Sequence, residues 1–210
     1  MIEAVLFDLH GVVTSSPWAA LASVGAGSGR TEAEVLAVML GDYAEDGDHP
    51  WHCLERGEIS IIDYATAVAG LAAEAGIDLD FGALRGFNDS IHVNGAVVSY
   101  IEGLRRRRVR VALVTNNVKE MADGWRSLLP DGLFDVVVDS SSTGVRKPNP
   151  EIFRLALREL ADLPPERAVF LDDVESNVQG AREAGLHGIV VGDIDTALAQ
   201  LDAVMAARQG

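Results

Sequence analysis

The feature that most constrains this chain is an alternation in its C-terminal half. VRVALVT (109–115), FDVVV (134–138), AVFL (168–171) and GIVV (188–191) are short, apolar and rich in β-branched residues, so each reads as a buried strand. Helical patterns separate them. From Pro150 to Leu160, residues Ile152, Phe153, Leu155, Ala156, Leu157 and Leu160 form an apolar stripe at helical spacing. Asn149 stands in the N-cap position, Pro150 at the first helical position and Glu151 behind it, which is a well-formed helix start. A second helix is predicted from Glu175 to Ala184, stopping at Gly185, and a third from Asp195 to Ala207. With a first strand at 3–7, strand–helix alternation predicts an α/β fold: a Rossmann-like parallel sheet with helices on both faces.

Ligands in such sheets bind beyond the carboxyl ends of the strands. Asp8, Thr115, Asp139 and Asp172 all fall on that edge. Residues 15 to about 95 do not alternate. Helical patterns lie at roughly 31–43, 60–75 and 80–92, the first opened by a capping box of Thr31 with Glu34. The expected organisation is a discontinuous Rossmann-like core, 1–14 and 96–210, and an inserted all-helical domain, 15–95.

The charge balance is 17 basic against 32 acidic residues, a net −15, which argues against nucleic acid or an anionic membrane as partner. It leaves room for a small anionic substrate, because a local metal or lysine outvotes the global field. Cys53 is the only cysteine, so no intramolecular disulfide can form. No basic n-region opens the sequence and no apolar run approaches a membrane span of about 20 residues, so a cytoplasmic protein is expected, as monomer or homodimer.

Three stretches draw the eye for reasons the structural reading absorbs. GAGSG (25–29) follows a helical stretch rather than a strand, so an interhelical loop is expected there instead of a phosphate loop. RRRR (105–108) ends a helix, where cations favour the macrodipole. His49, His52 and Cys53 lack a fourth partner for zinc, and packing around Trp51 is the preferred reading. Trp18 and Trp51 are candidates for lining a pocket.

Four elements are expected at successive strand ends: Asp8 with His10 and Gly11, Thr115 with Asn116, Lys147, and Asp172 with Asp173. FDLHGVV, LVTNN, GVRKPNPEIF and FLDDVESNVQGAREAGL resemble the four motifs of the haloacid dehalogenase-like hydrolase superfamily. The helical insert resembles that superfamily's helical cap, and the texture is similar to the subfamily holding the phosphatase-type N-terminal domain of soluble epoxide hydrolase. The resemblance implies a Mg²⁺-dependent phosphatase acting on a small phosphorylated metabolite through an aspartyl-phosphate on Asp8. Mg²⁺ would be held by Asp8, the backbone carbonyl of His10, Asp173 and Asp172, all hard oxygen donors. Thr115, Asn116 and Lys147 would bind phosphate, Lys147 would also hold Asp8 ionised, and Asn177 would orient a metal-bound water.

The pattern departs from the superfamily at one position. Most of its phosphatases carry a second aspartate, the acid/base, where His10 stands. Histidine titrates near neutrality and is able to take that role. If His10 instead only fills the pocket, the chain is a weakly active or non-catalytic metal-binding member. A third reading, C–halogen hydrolysis of the haloacid dehalogenase type, needs no acid because halide leaves without a proton.

Overall fold

The computed structural model describes residues 1–85 and 90–207. Five strands form one parallel sheet: β1 (Ala4–Phe7), β2 (Arg110–Thr115), β3 (Val136–Asp139), β4 (Ala168–Asp172) and β5 (His187–Val190), in the order β3-β2-β1-β4-β5. The sheet grows outward from β1 first through β2 and β3, then on the other side through β4 and β5. The change of direction falls between β1 and β4, and a crevice opens where crossovers part to opposite faces.

Ten α-helices are described: α1 (Trp18–Ala22), α2 (Glu32–Leu40), α3 (Pro50–Glu55), α4 (Ile61–Glu74), α5 (Gly95–Arg106), α6 (Ala122–Arg126), α7 (Ser140–Thr143), α8 (Pro150–Glu159), α9 (Glu175–Glu183) and α10 (Ile194–Ala207). Side chains alternate across the strands, so the three central strands, β2, β1 and β4, each feed two cores. Val5, Phe7, Leu113 and Leu171 pack with Val97, Ile101 and Leu104 of α5 and Leu201 and Met205 of α10. Leu6, Val114 and Phe170 face the other way, onto Ile152, Phe153 and Ala156 of α8 and Ala181 of α9. Phe153 meets Phe170 edge-on, with ring centroids 4.9 Å apart. Burial on both faces is why β1, β2 and β4 read as unbroken apolar runs.

A third apolar cluster lies among the helices between β1 and β2. Leu21, Val35, Met39, Leu54, Tyr64 and Val68 form its centre, and Val118, from the segment after β2, joins it. The Thr31–Glu34 capping box is present, and α4 has a second one, Ser60 with Asp63. The chain enters and leaves this block side by side. Thr14 bridges Val93 in antiparallel fashion, Ser15 N donates to the His92 carbonyl and Asn94 N to the Val13 carbonyl, each at 2.8 Å.

Several boundaries differ from expectation. The helix expected over 31–43 ends at Leu40, because Gly41 takes a positive φ of 68°. Of the helix expected over 80–92, residues 81–84 form a single 3₁₀ turn, and 86–89 lie outside the described residues. The GAGSG stretch is drawn into a 3₁₀ helix, Ser23–Ser28, between α1 and α2. The helical stretch expected before GAGSG is α1, whereas α3 is too short to show a period and was not expected. Yet α3 carries the same signal as α8: His49 caps the amide of Trp51 through Nδ1 (3.2 Å), with Pro50 at the first position.

Candidate active site

The register of the sheet builds the site. Phe7 pairs with Leu171, and the amide of Asp8 donates to the Leu171 carbonyl (2.9 Å), so Asp8 and Asp172 leave the sheet next to each other. Asp173 follows at once. Oxygens of Asp8, Asp172 and Asp173 all lie within 4.8 Å of one another, and among the described residues these three form the one cluster arranged like a cation site. His49, His52 and Cys53 form no such cluster, and Trp51 packs edge-on against Tyr64 with centroids 5.3 Å apart.

Gly11 makes room for the third carboxylate. Its φ is +89°, and a Cβ there would fall 2.2 Å from Asp173 Oδ2 and 2.3 Å from Cγ. A side chain at this position and Asp173 in its place are therefore incompatible.

Lys147 arrives from the loop before α8 and is buried. Its Nζ donates to Asp8 Oδ1 at 2.5 Å and to Asp172 Oδ2 at 2.7 Å. Its main chain is fixed by Asn116, whose Oδ1 accepts from the Lys147 amide (2.8 Å) and whose Nδ2 donates to the Lys147 carbonyl (3.0 Å). Asn177, on the first turn of α9, donates from Nδ2 to both Asp172 oxygens at 3.2 and 3.1 Å. The amide of Val174 reaches Asp172 Oδ1 at 2.8 Å. Asn177 Oδ1 is buried and has no hydrogen-bond partner among the described residues.

One lysine does not neutralise three carboxylates. Burial raises Asp8 to about 6 against the partly offsetting pull of Lys147, with Asp173 adding repulsion. Burial and the Asp8 charge raise Asp172 to about 7, and burial and Asp172 raise Asp173 to about 6. Burial pushes Lys147 down, but Asp172 and Asp8 outweigh it and its pKa is raised. An acidic trio with this surplus, made only of hard oxygen donors, suits a divalent cation such as Mg²⁺.

His10 is desolvated, and with Lys147 nearby its pKa drops to about 4, so the ring is neutral near pH 7. Nδ1 lies 2.9 Å from Thr14 Oγ1. The Thr14 hydroxyl has the Leu9 carbonyl at 3.2 Å for its own proton. Thr115 Oγ1 donates to the Asn116 carbonyl (3.2 Å), and Thr115 is not among the residues lining the cavity. Asp139 stands apart from the trio: it caps α7 and accepts from Asn117 Nδ2 at 2.8 Å.

A cavity opens above these groups. Asp8, His10, Asn116, Asn117, Lys147 and Asp173 make its polar floor. Its roof comes from the helical block and is apolar, with Trp18, Leu21, Met39, Trp51, Ile61 and Phe81 among its members. Among the described residues between 15 and 95 the lining contains no lysine, arginine or histidine, and Glu55 is its one charged group, already held by Arg146 and Tyr43. Asn117, Tyr43 and Glu55 were not singled out from the sequence. The second asparagine of LVTNN was the available signal for Asn117; nothing comparable marked the other two.

Comparison with known proteins agrees with this architecture. Residues 2–185 match the model of the haloacid dehalogenase-like hydrolase family. The chain belongs to that family. Across 97% of its length it is 31% identical to mouse acyl-CoA dehydrogenase family member 10, of which it covers 19%. Over the same share it is 29% identical to mouse bifunctional epoxide hydrolase 2, of which it covers 39%. The chain thus spans well under half the length of these relatives. Among solved structures, a HAD family enzyme from Bacteroides thetaiotaomicron, in complex with magnesium and inorganic phosphate, superposes with a TM-score of 0.62 at 19% identity, over 92% of this chain and 96% of that one. No described helix is long and apolar enough to cross a membrane.

Proposed function

We propose that this protein is a Mg²⁺-dependent phosphatase acting on a small phosphomonoester, with Asp8 as nucleophile. The observation that carries the reading is the buried trio Asp8, Asp172 and Asp173 beside Lys147. Displacing halide from carbon needs no cation, and three crowded carboxylates would then be uncompensated. Attack by a carboxylate on a phosphate dianion does need one. The Bacteroides neighbour, bound to magnesium and phosphate, supports the same reading by analogy of fold.

Asp8, Asp172, Asp173 and the carbonyl of His10 would hold the ion, which when bound neutralises charge between nucleophile and substrate. The remaining chemistry belongs to the chain. Lys147 keeps Asp8 ionised by donating to it, and orients it by tying it to Asp172. Asn116 fixes the lysine's main chain, and the Asn116–Asn117 segment with Lys147 forms the anion-binding floor. Thr115 serves that floor by bonding the Asn116 carbonyl. Asn177 aligns Asp172. Residues 15–95 act as a cap whose apolar roof receives the organic part of the substrate, so an apolar alcohol or phenol is favoured over a second charged group. His10, neutral near pH 7, accepts a proton from the water that cleaves the aspartyl-phosphate. It is not the acid that protonates the leaving group, which departs as its oxyanion and takes its proton from solvent.

Phosphate release from a panel of phosphomonoesters tests this. Activity is expected with Mg²⁺, not with excess chelator, and not in Asp8→Asn. Halide release from 2-haloacids that survives the chelator would overturn it.

A further inference from the structure

Arg146 stands immediately before Lys147, is completely buried, and does not line the cavity. Its guanidinium is gripped from three directions by the helical block. Nε donates to Glu55 Oε2 at 2.8 Å, Nη1 to the Glu45 carbonyl at 2.5 Å, and Cζ sits 5.0 Å over the centre of the Tyr43 ring. Tyr43 Oη in turn donates to Glu55 Oε1 (3.2 Å), and Asn116 Nδ2 reaches Tyr43 Oη at 3.5 Å. The end of α3 is seated on the sheet domain at the same place. Ser140 Oγ donates to the Glu55 carbonyl at 2.6 Å. Gly57, at φ +69°, approaches Ser141 so closely that a Cβ would lie 2.3 Å from its carbonyl oxygen.

The residue after Arg146 is held just as firmly from below, by the two hydrogen bonds to Asn116. Lys147 is therefore placed by two clamps, Asn116 from the sheet and Arg146 from the helical block. The upper clamp is expensive. Arg146 Nη2 is buried without a hydrogen-bond partner among the described residues. A buried ion pair is commonly matched or exceeded in stability by an apolar pair of similar volume. What an apolar pair cannot supply is direction: a guanidinium fixed at Nε, Nη1 and its face has one orientation.

We infer that Glu55 and Arg146 are positioning residues, an ion-pair latch that couples seating of the helical block to the placement of Lys147 between Asp8 and Asp172. The kinetic part rests on the phosphatase reading; the structural part does not. With the block seated, the lysine is held where it orients the nucleophile. Without the latch, Lys147 keeps its bonds to Asn116, Asp8 and Asp172, but the residue before it loses its hold on the helical block.

The test compares wild type, Arg146→Met and the double variant Glu55→Leu with Arg146→Met. Each is assayed for urea midpoint, exchange of the backbone amides of 144–149, and kcat and KM on p-nitrophenyl phosphate with Mg²⁺. Arg146→Met strands a buried carboxylate and is expected to lower the midpoint. The double variant is expected to recover the midpoint while exchange of the Lys147 amide stays at least about tenfold faster than wild type. Its kcat should stay about ten- to a hundredfold low with KM little changed, the signature of a displaced catalytic group. Wild-type kcat and wild-type exchange in the double variant would overturn the latch. So would a double variant that does not regain the midpoint, since the pair would then be structural. If wild type releases no phosphate, the phosphatase reading fails, and the exchange arm alone decides the latch.

Discussion

Replacing Gly11 with alanine separates folding from cation binding at a single atom. The backbone at φ +89° disfavours any Cβ, at a cost of about 1–2 kcal/mol. Against a typical domain stability of about 5–15 kcal/mol, the fold survives. The larger effect is local. The new Cβ would sit 2.2 Å from Asp173 Oδ2, whereas comfortable contact begins near ~3.5 Å, so the carboxylate must retreat by more than about 1 Å. That breaks up a trio whose oxygens now lie within 4.8 Å of one another. A misplacement of about 1 Å is worth about 10²-fold in rate. Gly11→Ala should therefore show a modestly lowered melting temperature without metal, no Mg²⁺-dependent rise at concentrations that saturate wild type, and about a hundredfold less phosphate release. Asp173→Ala should share the loss of the Mg²⁺ response without the backbone penalty. If Gly11→Ala keeps the wild-type Mg²⁺ response in a melting titration, Asp173 does not belong to the cation site.

Other expectations can be checked alongside. Asp8, Asp172 and Asp173 are raised from 3.8 to about 6, 7 and 6, so between about pH 4 and 7 the folded metal-free protein binds more protons than the unfolded chain. The trio's contribution to stability should therefore fall as pH rises through that window, with the raised Glu55 in the same sense and His10, His52 and His49, all lowered by burial, in the opposite one; Asp173→Ala beside wild type isolates the trio's share. The stabilisation by Mg²⁺ should be largest at the top of the window, where the ligands are deprotonated, and melting curves with and without the ion decide this. Because the His10 ring is neutral near pH 7 and supplies no acidic proton, rates should depend steeply on leaving-group acidity across aryl and alkyl phosphates. His10→Asp should flatten that dependence, and an unchanged slope would remove this position from the proton transfers. Tyr64→Phe deletes a buried bond to the Met39 carbonyl (3.0 Å) and should cost about 1 kcal/mol by urea denaturation. Asn149→Ala, which removes the cap of α8, should cost about as much.

The parts of the fold legible in the sequence are those where one strong local cause acts. Strands covered on both faces need apolar residues at every position, so β1, β2 and β4 announce themselves. Helices α8 and α9 are framed by Asn149–Pro150 and Gly185. The acidic trio and Lys147 were readable because each ends a buried run or sits in a motif of known spacing. What stayed hidden depends on distant partners. Glu55 and Arg146 meet across 91 residues, and nothing local marks Glu55, within PWHCLERGE, as buried. The protonation of His10 was equally unreadable, because it depends on a hydroxyl four residues on and on the depth of the ring. The short helix α3 is held by tertiary packing more than by its own pattern.

The paired crossings at Val13–Ser15 and His92–Asn94 have a consequence for how the chain is assembled. Ser15 and His92 are 77 positions apart in sequence yet hydrogen-bonded in space. Seen from the sheet, the whole helical block is therefore a single loop whose two ends already touch, closed much as a hairpin turn closes two strands. Loop-closure entropy grows only logarithmically with length, so lengthening or shortening what hangs from those ends changes the sheet's own stability little. The sheet and the block are thus free to vary independently where they do not touch; they interlock at Glu55, Gly57, Ser140 and Arg146, and they also meet where Val118 enters the block's apolar cluster and where Ile61 N donates to Glu120. An exchange of roofs between relatives would have to carry that interlock with it.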